Sequence, residues 1–63
     1  MNKIDKLKKS KHMSYEEIAK DSGVTAQYVF LLAKGKRTNP SLEVMKAISQ
    51  ALGEKVETVF QIN

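Results

Sequence analysis

Apolar residues recur along this chain at intervals of three and four, and turn-forming residues interrupt them at each change of direction. The pattern predicts five short helices, at about residues 2–11, 15–21, 25–34, 41–52 and 55–61, and hence an all-α fold. In the first, Ile4 and Leu7 form an apolar stripe, and Lys3, Lys6, Lys8, Lys9 and Lys11 cover the rest as a solvated face. His12 and Met13 link it to the second helix, with Met13 directed at the core and His12 at the surface. The fourth helix carries Leu42, Met45, Ile48, Ser49 and Leu52 on one side and ends at Gly53. The fifth has Val56, Val59 and Phe60 as its apolar side.

Helices two and three form the densest cluster of local signals. Ser14 is an N-cap, and Glu17, three residues on, can reach back to the Ser14 amide as a capping box. Ile18 is the buried residue of that helix, and Ala19 is small enough for another helix to cross close by. Asp21, Ser22 and Gly23 make a turn, Gly23 supplying the positive φ of a sharp reversal. Val24 plugs the corner. Thr25 caps the third helix, whose Val29 and Leu32 share one face, and Gly35 stops it. In the loop that follows, Pro40 biases Asn39 away from helix, and Asn39 or Ser41 can cap helix four.

Composition narrows the function. At 63 residues the chain is read as one domain, 1–63, with a core small enough to be marginal alone. It has no cysteine, so no disulfide and no thiolate metal site is expected. A net charge of +4 favours polyanionic partners. No apolar run approaches the roughly 20 residues of a membrane span, and the lysine-rich start is unlike a signal peptide. With one histidine and no paired acid and base at a useful spacing, no enzyme, cofactor or metal is expected.

Counted from Tyr15 as position one, a small residue stands at five (Ala19), glycine at nine (Gly23), valine at fifteen (Val29) and Leu32 at eighteen. This resembles the helix-turn-helix of the Cro and lambda-repressor type, the XRE-like family. The flanks extend the likeness over essentially the whole chain. Segments of the kind LSxEELA, GVS, GKRNPS and ALGVSLDELF read here MSYEEIA, GVT, GKRTNPS and ALGEKVETVF. The resemblance implies a five-helix lambda-repressor-like fold in which the third helix enters the DNA major groove and the second crosses the backbone.

The same likeness implies a bacterial or phage cytoplasmic, nucleoid-associated regulator of transcription, expected to be a repressor binding duplex DNA as a homodimer on two half-sites. Ala26, Gln27 and Leu31 match family positions that touch bases, and Tyr28 faces the same way. Gln27 is the best reader, because one amide can bond adenine N6 and N7 together. Lys34, Lys36 and Arg37 match the segment bordering phosphates. The helix start at Ser14 and Tyr15 can offer amides to a phosphate, and Thr25 its hydroxyl. A dimer contact is expected around Val56, Val59, Phe60 and Ile62. No small-molecule ligand is expected, so regulation would act through concentration or another protein.

Some residues depart from the family pattern. Tyr15 stands where glutamine is common. The usual glutamate at Ala33 and arginine at Lys8 are both missing, which removes their ion pair. Glu54 and Lys55 replace an apolar residue and a small cap, so the last helix should start loosely. Phe30 and Leu31 are apolar where relatives are polar. They motivate the alternative of a module whose main partner is a protein, such as an antirepressor or an antitoxin.

Overall fold

The structure, a computed structural model, describes residues 2–60. The five expected helices form as α1 (Ile4–Ser10), α2 (Tyr15–Ser22), α3 (Ala26–Ala33), α4 (Leu42–Leu52) and α5 (Val56–Val59). The fold is all-α, as the lambda-repressor-like resemblance implies, with α2 packed chiefly against α3 and α4.

The caps read in the sequence set the helix starts. Ser14 Oγ accepts from the Glu17 amide at 3.1 Å while Glu17 Oε1 accepts from the Ser14 amide at 2.9 Å, closing the capping box. Thr25 Oγ1 accepts from Tyr28 N at 3.0 Å, and Ser41, rather than Asn39, caps α4 by accepting from Val44 N. Asn39 instead takes a left-handed φ of 56°. Gly23 has φ 73°, and a Cβ there would meet nothing within 4 Å. The reversal between α2 and α3 therefore needs glycine for its dihedral angle, not for space. Lys55 offers α5 no side-chain cap, and that helix is four residues long, in keeping with the expected loose start.

Two boundaries differ from the expected ones by two residues, and for the same reason. Asn2 is not helical: it bridges antiparallel to Phe60. Its Oδ1 accepts from Ile4 N at 3.1 Å and its Nδ2 donates to Leu32 O at 2.8 Å. An asparagine side chain that bonds nearby backbone competes with helix, so α1 begins only at Ile4. At the other end Phe60 is extended, with φ −116° and ψ 129°, and α5 stops at Val59. Lys3 N donates to Val59 O at 2.7 Å, tying the two ends together.

One core joins all five helices: Ile4, Ile18, Ala19, Val29, Leu32, Ile48, Leu52, Val59 and Phe60 are buried together. Leu7, Met13 and Val24 pack against it, half-buried. Leu42, expected on the α4 stripe, is 54% exposed because it occupies the first turn, beyond the core. Of the residues expected at a subunit contact, Val59 and Phe60 are buried inside the protomer, at 0% and 6% exposure. Val56 is half-buried, and Ile62 lies outside the described residues.

Ser49 is buried at 1% exposure, and its Oγ has no hydrogen-bond partner among the described residues. An unmade buried hydrogen bond costs about 1–3 kcal/mol, and alanine also has the better helix propensity. Ser49→Ala is expected to raise stability by about 1 kcal/mol, a rise in melting temperature of about 4–8 °C in a domain of this size. Thermal unfolding followed by circular dichroism checks it, and a lower melting temperature would refute it.

Candidate nucleic-acid interface

Helix α3 is held from behind by Val29 and Leu32, which are 0% and 1% exposed. Of the four residues expected to meet bases, Gln27 is exposed. Ala26, Tyr28 and Leu31 are half-buried, and Ala26 and Tyr28 pack against the core. Leu31 is thus not the freely exposed apolar residue the sequence suggested. Phe30, 40% exposed, is also partnered: its ring meets Tyr15 edge to face, centroids 5.6 Å apart at 81°. An open depression of about 540 Å³ lies between the starts of α2 and α3, bordered by Lys8, Met13, Tyr15, Ala26, Gln27 and Phe30.

The residues expected at phosphates fall into two groups. Lys36 and Arg37 are exposed in the turn after α3, where both backbone amides donate to Leu31 O, at 2.9 and 3.1 Å. The Arg37 guanidinium lies 5.1 Å from the centre of the Tyr28 ring, a cation–π contact that ties the loop to α3. Neither side chain meets an acid among the described residues. Thr25 is exposed, and its oxygen accepts from Tyr28 N while its own proton stays available.

The remaining three make side-chain or capping contacts within the protein. The Ser14 amide donates to Glu17 in the capping box. The Tyr15 hydroxyl donates to Asp5 Oδ1. Lys34 Nζ donates to Asp5 Oδ2 at 2.8 Å. Above the same site, Lys8 Nζ stands 4.7 Å from the Tyr15 ring centre and Lys34 Nζ 5.9 Å from that of Phe30.

The electrostatics follow from this cluster. Burial pushes the Asp5 carboxyl up, but hydrogen bonds from Lys34 and Tyr15 outweigh it and hold the pKa below the ordinary carboxylate value. Burial and the bond to Asp5 raise the Tyr15 hydroxyl above its usual value, and the same carboxylate raises the Lys34 ammonium. The cluster also answers a departure noted in the sequence. No pair joins positions 8 and 33; an ion pair instead runs from Asp5 on α1 to Lys34 beyond α3, with acid and base on opposite sides from the family arrangement. Asp5 was missed in the sequence, where it is one acid in a lysine-rich helix and its partner is 29 residues away. Glu54, another departure, pairs with Lys11 at 3.1 Å.

Among the described residues there is no group of three or more acids or histidines able to hold a metal, and no helix long and apolar enough to cross a membrane.

Comparison with known proteins adds to this geometry. A helix-turn-helix family model matches residues 4–59. Over 58 residues the chain is 30% identical to the HTH-type transcriptional regulator SinR of Bacillus subtilis (strain 168), and equally to that of Bacillus licheniformis. Those matches cover 92% of this chain and 52% of each relative, so the chain spans about half their length. It is 34% identical over 58 residues to an uncharacterized HTH-type transcriptional regulator of Archaeoglobus fulgidus, covering 92% of this chain and 80% of that one.

Proposed function

Because the chain belongs to this helix-turn-helix family, we propose that it binds double-stranded DNA in a sequence-specific way and regulates transcription. The observation that carries this reading is α3 itself. Its inner face is locked by Val29 and Leu32, Gln27 is exposed on the outside, and Lys36 and Arg37 follow with charges that meet no acid among the described residues. The major groove admits one such helix, and the flanking cations match its phosphate walls. Residues 1–63 are taken as one DNA-binding domain acting in the cytoplasm of a bacterial or phage-infected cell.

The finer reading is a repressor that covers its operator as a homodimer, with half-sites about 10 base pairs apart. Its subunit contact would lie near α5, where Val56 keeps part of its surface. The alternative of a mainly protein-binding module rests on Phe30, 40% exposed with its ring edge to face against Tyr15, since Leu31 is half-buried.

Gln27→Ala is expected to reduce discrimination between selected and random duplexes by about 1–3 kcal/mol, whereas Arg37→Ala weakens binding to both alike. Duplexes selected from a random pool, titrated at fixed salt, supply the test. Equal losses on both DNAs for Gln27→Ala would remove its role as reader.

A further inference from the structure

Asp5 sits among the residues that a DNA backbone would use. One carboxylate oxygen takes the Lys34 ammonium and the other takes the Tyr15 hydroxyl. A tyrosine hydroxyl has a single proton. While that proton points at Asp5, an arriving phosphate meets only oxygen lone pairs. The Lys34 charge is likewise neutralised where it stands, and Asp5 adds a negative charge that repels the phosphate.

We infer that Asp5 is an internal substitute for a DNA phosphate, which occupies Lys34 and the Tyr15 hydroxyl in the free protein and gives them up when DNA binds. The exchange needs no movement of the core. The side chains of Asp5 and Lys34 are 39% and 46% exposed, and exposed ion pairs contribute little stability. Both donors lie at the surface that α2 and α3 share, with Lys8 and the Phe30 ring beside them. Asp5 therefore lowers affinity for any duplex, whatever its sequence, and restrains binding away from the operator. This inference rests on DNA being the ligand of that surface.

The test compares wild type with Asp5→Asn on a random-sequence duplex, by fluorescence anisotropy over a range of salt. In the wild type the carboxylate that Lys34 leaves takes up a salt cation and offsets the one released from DNA, so Asp5→Asn steepens the plot of log affinity against log salt by about 0.9, and tightens binding about eightfold at about 0.1 M salt relative to about 1 M, for each bound subunit. Asp5→Asn is expected to show that gain, and adding Lys34→Gln to it is expected to abolish the gain. Unchanged or weaker binding by Asp5→Asn overturns the inference, weaker binding meaning that Asp5 positions Lys34 instead. A gain that persists without Lys34 also overturns it, because removal of a repelling charge would then suffice. A wild type that binds no duplex removes the DNA reading and this inference together; binding without the gain removes this inference alone. Should Asp5→Asn not fold, the carbon-13 shift of the Asp5 carboxyl in the wild type serves in its place. That shift is expected to move in step with duplex binding, and a static shift in a bound complex is the contrary result.

Discussion

Ile18→Ala is expected to cost about 3 kcal/mol of unfolding free energy and to leave a large fraction of molecules unfolded without denaturant. Ile18 is 0% exposed on the helix that packs against both α3 and α4. Cutting a buried isoleucine to alanine removes its transfer free energy and leaves a cavity, together about 2–5 kcal/mol. A single core in a chain of 63 residues supplies little more than about 3–5 kcal/mol in total, so the loss is comparable to the whole. Leu42→Ala is the matched control. With that side chain 54% exposed, its loss should stay within about 0.5 kcal/mol. Urea unfolding of the two variants measures both, and similar losses would contradict the position of the core. Ile18→Ala should also abolish DNA binding, since α3 rests on the same cluster.

Raising salt from about 0.05 M to about 0.2 M is expected to weaken DNA binding about a hundredfold, whatever the duplex. Lys36 and Arg37 are the charged phosphate candidates without an acid partner among the described residues. Used by two subunits, they make four contacts and a log–log slope of about −3.6. Used by one subunit, they give a slope of about −1.8 and a loss of only about tenfold over the same range. The slope therefore reads the number of subunits bound as well as the contacts. A slope flatter than about −1.5 would refute the phosphate role of the two cations. One near −1.8 would keep that role and remove the homodimer. Arg37→Ala should flatten the slope by about 0.9 for each subunit bound.

The relation of sequence to structure differs from one element to the next. The capping box of Ser14 and Glu17, the Thr25 cap and the left-handed Gly23 all appear where the sequence placed them. Each needs only neighbours within a few residues, so local composition determines it. Ile18, Val29 and Leu32 were also legible, because a 3.6-residue period puts them on inner faces whatever packs there. Helix ends were less so: Asn2 and Phe60 look compatible with helix, yet each is drawn into a bridge with the other end of the chain.

The sequence by itself determined the five helices, the turn between α2 and α3, and which side of α3 faces inward. Only the tertiary structure decided the rest. It buried Val59 and Phe60 in the protomer, set the Tyr15 ring against Phe30, and brought Asp5 to Lys34 and the Tyr15 hydroxyl. Asp5 and Lys34 are 29 residues apart, on segments that meet only once the core has closed. Periodicity tells which face of a helix is apolar but not what packs against it. Charges on solvated faces find their partners through distances that exist only in the folded chain.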